Sequence, residues 1–133
     1  MKKLLIASYW IGIIADALAA LLLFSPSLAN FAFQPRPFEI SEVYLYVTRV
    51  GGALMLGWTV LLFWAQLEPI ERADILLITL FPVVTGLAIA AWLLAKSNQI
   101  SASKLLPMFI LYVVVYCIFI PSYRWAKRQK FRL

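Results

Sequence analysis

Asp16 and Arg49 are each the sole charge inside a long apolar stretch, residues 4–24 and 43–66. Two chemistries suit such residues. One is an ion pair that neutralises both, with the guanidinium gripping the carboxylate through two hydrogen bonds. The other is proton traffic through an isolated carboxylate. A charge at membrane depth costs about 2.5–3.5 kcal/mol on insertion scales, so it needs a partner or a task. Arg49 lies about 9 Å in from one end of its stretch, and Asp16 about 12 Å in, at 1.5 Å per helical residue. The connection 25–42 joins those two ends, so both depths count from the same side. Small residues flank both at helical spacing: Gly12, Ala19 and Ala20 around Asp16, and Gly52, Ala53 and Gly57 around Arg49. Such residues let helix backbones approach closely in lipid. The spacing therefore predicts a structural Asp16–Arg49 pair. Two alternatives stay open: Arg49 reaching towards Glu39 or Glu42, and an Asp16 that carries protons.

A second constellation lies on the stretch 105–123. Phe109, Tyr112, Tyr116, Phe119 and Tyr123 recur every three or four residues, a continuous aromatic seam on one helix face. Tyr112 falls near the level of Asp16 and Arg49. With Tyr9, the seam (Phe109, Tyr112, Tyr116, Phe119) offers a ligand-facing wall for a flat apolar molecule such as a quinone, pigment or lipid; core packing is the plainer use of such a stripe. The stretch 75–95 holds Thr79, Pro82, Thr85, Gly86 and Ala90. Pro82 removes a backbone donor and predicts a kink, with Thr79 or Thr85 available to satisfy the freed carbonyls. Pro82 and Gly86 form a candidate hinge, and the face Thr79, Pro82, Gly86, Ala90 is expected to point into the bundle.

The elements that position these residues follow from composition. The chain has 133 residues, 64% hydrophobic and 14% charged, with a mean hydropathy of +0.89. Soluble domains carry about 25% charged residues, so lipid is the expected solvent. The stretches 4–24, 43–66, 75–95 and 105–123 each approach the about 20 residues that cross a bilayer as a helix. Two-residue alternation is absent, which argues against a membrane β-barrel. The prediction is one domain over 1–133, an all-α integral membrane protein built as a four-transmembrane-helix bundle.

Charge placement orients it. Lys2, Lys3, Arg72, Arg124, Lys127, Arg128, Lys130 and Arg132 gather on one side, against Arg36, Lys96 and Lys104 on the other. By the positive-inside rule both termini are cytoplasmic, in what reads as a prokaryotic inner (plasma) membrane. The basic tail 124–133 predicts a membrane-surface anchor on anionic lipid headgroups through Arg124, Lys127, Arg128, Lys130 and Arg132, each cation contributing about 1 kcal/mol. Because that tail abuts a membrane helix, the net charge of +6 does not point to nucleic acid. Ala17-Leu18-Ala19 resembles a signal-peptide cleavage site, but Asp16 interrupts the apolar run and the stretch continues beyond it, so an uncleaved span is expected. The connection 25–42 sets Phe31, Phe33 and Phe38 among Pro26, Pro35 and Pro37, the composition of an interfacial segment over the outer mouth of the bundle. The short turn 67–74 predicts antiparallel packing of the second and third helices.

The chain lacks histidine, which removes histidine-based metal sites, haem ligation and acid–base catalysis. Cys117 is the single cysteine, so one chain holds no disulfide. No motif is specific enough to name a family. The expectation is a non-enzymatic membrane component without metal or cofactor: an accessory or assembly subunit, or a binder of a lipid-like apolar molecule, forming a homo-oligomer or joining a partner membrane subunit. The alternative is a small-solute or proton-coupled transporter or channel acting as a homo-oligomer.

Overall fold

Among the described residues, four helices are long and apolar enough to cross a membrane: Lys2–Phe24, Glu42–Leu67, Asp74–Lys96 and Ala102–Lys130. A computed structural model describes residues 1–33, 41–97 and 100–131, and no strand occurs among them. The first span is α1 (Lys2–Phe24). A short helix, α2 (Pro26–Phe33), follows it, with proline in the first turn where the missing N–H has no partner to lose. Residues 34–40 of the expected interfacial segment lie outside the described residues; Phe31 projects fully from α2.

The second span is α3 (Glu42–Leu67), started by the Ser41 hydroxyl, which accepts the Tyr44 backbone N–H at 3.1 Å. The third span is composite. It runs as α4 (Asp74–Ile78), a π-helical turn (Thr79–Val84) and α5 (Thr85–Lys96). Pro82 sits inside the π turn. There the Leu80 carbonyl accepts the Thr85 hydroxyl at 2.9 Å and the Tyr116 hydroxyl at 3.3 Å. The fourth span, α6 (Ala102–Lys130), continues as helix through most of the basic tail. At 1.5 Å per residue its 29 residues extend about 44 Å, so it outruns an about 30 Å hydrocarbon core.

The first span packs most extensively on the second and next on the fourth, which in turn holds the third. The second and third spans meet through side chains near their shared turn rather than along their lengths. Leu62 and Ala65 join Ala73 and Leu76 in the core, and the Trp58 indole N–H donates to the Thr79 hydroxyl at 3.1 Å. The tight turn thus keeps the two spans together only at that end.

The core is concentrated where both chain termini lie. Leu5, Tyr9, Leu62, Leu76, Leu80, Phe119 and Ala126 are fully buried there. Tyr9 closes this end: its hydroxyl donates to the carbonyls of Arg72 (3.1 Å) and Pro69 (3.3 Å) in the turn. Ser8 Oγ and Ser122 Oγ, both buried, lie 2.8 Å apart and tie the first span to the fourth. Arg72 stacks on the Trp64 ring at 3.6 Å and bonds Glu68 at 2.8 Å. Lys127 reaches Asp74 at 3.0 Å, and Lys130 reaches Glu71 at 3.5 Å. These exposed ion pairs contribute at most about 1 kcal/mol each, yet they give two tail cations a partner in the turn. Arg124 and Arg128 remain on the outer surface of the helix; Arg132 lies outside the described residues.

The interior face of the third span differs from the expected one. Thr79 is buried, but Pro82, Gly86 and Ala90 are exposed, and a side chain at Gly86 would meet open space. The π turn is the cause. Its wider i→i+5 bonding rotates the following residues, so the buried line passes from Leu76, Thr79 and Leu80 to Val84 and Ala91. Proline then faces outward, where its ring disturbs no neighbouring helix.

Candidate functional site

Away from the packed end the spans part around a cavity of about 380 Å³. The first span lines it from Gly12 through Asp16 and Ala19 to Leu23, about 17 Å of helix at 1.5 Å per residue. The second contributes Met55, the third Thr79, Val83, Val84 and Leu87, and the fourth Met108, Tyr112, Val115 and Phe119. Gly12 permits the narrow floor. A Cβ there would stand 3.0 Å from Leu62 Cδ1 and 3.3 Å from Phe119 Cζ, so any larger residue must displace one of them.

Among the described residues, Asp16 is the single charged one on this wall. Its Oδ2 is out of reach of solvent and has no hydrogen-bond partner among the described residues. The Thr79 hydroxyl is already committed, donating to the Ile75 carbonyl at 2.8 Å while accepting from Trp58. Tyr112 sets its ring edge-on to Phe109 at 6.3 Å and forms no hydrogen bond among the described residues. The cavity therefore offers, among the described residues, one uncompensated carboxylate and one free phenol on otherwise apolar walls.

Among the described residues, no ion pair joins Asp16 to Arg49; the bridges present are Arg72–Glu68, Lys127–Asp74 and Lys130–Glu71. Arg49 is exposed on the outer surface of the second span. Depth was matched but rotation was not. Asp16 shares the buried face of Gly12 and Ile13, whereas Arg49 stands about half a turn, on a 3.6-residue helix, from the face that carries Leu62 and Ala65. Of its small neighbours, Gly52 lies against the Phe24 ring, which a Cβ there would meet at 3.1 Å, while a Cβ at Gly57 would meet open space. A double-mutant cycle checks this arrangement. Asp16→Asn and Arg49→Gln are expected to add in unfolding free energy within about 0.5 kcal/mol. A coupling above about 1 kcal/mol would restore the pair.

The seam divides likewise. Tyr112 and Phe119 line the cavity. Tyr116 is turned to the third span, its hydroxyl meeting that of Thr85 and its ring meeting Phe81 edge-on at 6.5 Å. Tyr9 closes the opposite end, and Phe109 backs Tyr112 from outside the lining. The Ser8–Ser122 and Trp58–Thr79 links between spans are not evident from the sequence. Their one signal is a small or aromatic polar residue one turn from another interior residue, as Ser8 is from Gly12.

Fold and site together define an all-helical protein with four helices long and apolar enough to cross a membrane, an apolar cavity between them, and a carboxylate on its wall that is unpaired among the described residues. No family model, curated protein or solved structure matches the chain.

Proposed function

We propose that the chain binds one lipid-like apolar molecule within the bilayer, in the cavity bounded by Asp16, Tyr112 and Phe119, and acts as a non-enzymatic membrane component. The observation that carries this reading is the Asp16 carboxylate, with one oxygen shielded and unpartnered among the described residues, on the wall of a half-open apolar cavity. A buried acceptor left unsatisfied costs about 1–3 kcal/mol, a burden that function explains and packing does not. The volume of about 380 Å³ lies within the about 300–1,000 Å³ of small-molecule sites. In this reading both termini face the cytoplasm of a prokaryotic cell, because Lys2, Lys3, Arg72 and the tail cations gather at one end. Arg124 and Arg128, which leave the turn to Lys127 and Lys130, then meet anionic headgroups.

The same carboxylate also supports proton-coupled transport by a homo-oligomer as the second reading. Native mass spectrometry after mild extraction tests the first. About one small molecule per chain is expected from the site described, and Ala19→Phe, which adds bulk to the wall, should remove it. Wild-type protein without bound molecules, or equal loading in Ala19→Phe, counts against the cavity as a binding site.

A further inference from the structure

The charge balance of the cavity specifies more than an apolar guest, and we propose that its ligand is an amphiphilic cation, a protonated amine or an onium group on an apolar body. This rests on the cavity being a binding site. All four spans supply lining residues, and none supplies a lysine or arginine. With Thr79 committed to Ile75 and Trp58, the unengaged polar groups of the lining among the described residues are the Asp16 carboxylate and the Tyr112 hydroxyl. An anionic headgroup would meet like charge at Asp16. A neutral hydrocarbon would fill the space yet leave the carboxylate without water or partner, the costly arrangement for a buried charge. A cation removes that cost, since opposite charges attract more strongly beside apolar walls than in water, and Asp16 Oδ2 is shielded from solvent.

The surroundings suit such a guest. Tyr112 and Phe119 present aromatic rings on the same wall, and ring faces attract onium and ammonium groups. Met55 and Met108, also in the lining, adapt their shape to a bulky apolar body. From Asp16 the lining continues about 10 Å along the first span to Leu23, and about 6 Å the other way to Gly12. The charge thus rests partway along the cavity, with room for apolar groups on both sides. Arg49 does not compete as the internal counter-ion, because it points away from the bundle.

The test compares two probes of matched shape on the full chain in nanodiscs: tritiated methyltriphenylphosphonium, which is permanently charged, and tritiated 1,1,1-triphenylethane, its neutral isostere. The cation is expected to bind saturably at about one per chain. Asp16→Asn should weaken it at least tenfold while leaving the neutral probe unchanged, with circular dichroism confirming that the variant stays helical. Ala19→Phe should reduce both. If both probes bind alike and Asp16→Asn changes neither, the cation assignment falls while the apolar cavity stands as a site. Cation binding that survives Asp16→Asn also overturns the assignment. Saturable binding of neither probe overturns the assignment together with the cavity reading on which it rests.

Discussion

Asp16→Leu is expected to make the ligand-free bundle harder to unfold, by about 2 kcal/mol. The direction follows from the carboxylate oxygen that has neither solvent nor a hydrogen-bond partner. Leucine has a similar reach, brings no polar atom, and meets Ala15, Ala19, Val115 and other apolar lining. The opposite sign belongs to the opposite structure. Were Asp16 paired with Arg49, leucine would strand an intramembrane guanidinium and destabilise the fold by several kcal/mol, as breaking a buried pair does. Titration with a denaturing detergent, followed by tryptophan fluorescence, reads the difference. A lower midpoint for Asp16→Leu would show that the carboxylate has a stabilising partner. The expected gain in stability should coincide with loss of ligand, because residues kept for binding are commonly unfavourable for the fold alone. Adding ligand then raises the midpoint of the wild type and not of the variant, by mass action.

How far these features were legible differs from element to element. Helix existence was readable because each span must be apolar over its whole crossing; 4–24 and 43–66 differ from Lys2–Phe24 and Glu42–Leu67 by a residue or two. The fourth apolar stretch ends at 123, whereas its helix continues to Lys130. Hydropathy marks where a helix leaves the hydrocarbon, not where its hydrogen bonding stops, and Lys127 and Lys130 hold the extension against Asp74 and Glu71. Depth was equally legible, since it needs only counting. Rotation was not. Arg49 and Asp16 sit at similar levels, yet which side of each helix turns inward depends on packing around Gly12 and Gly52, where Leu62 and Phe24 make the close contacts. The π turn is the harder case. Pro82 announces a disturbance, but nothing in its neighbours fixes how far the helix beyond is rotated, and that rotation placed Gly86 and Ala90 outside.

The second large effect is expected at Phe119. Its ring is fully buried and forms the cavity floor against Gly12. In soluble cores Phe→Ala costs about 3–5 kcal/mol. Part of that is transfer from water, which counts for less where the surroundings are lipid, so the low end, about 3 kcal/mol, is expected here. What remains is lost dispersion contact with the first span, an interaction the ring makes at close range. Gly12 makes the origin of that loss testable. In the wild type, Gly12→Val must push aside Leu62 or Phe119, whose atoms stand 3.0 and 3.3 Å from the new Cβ, and overpacking of this kind costs about 1–3 kcal/mol. In the Phe119→Ala background the same valine enters the vacated space. The double variant should therefore be more stable than the two single losses summed, by at least about 1 kcal/mol. Strict additivity would mean that Phe119 and Gly12 are not in contact, and that the floor of the cavity is built by other residues.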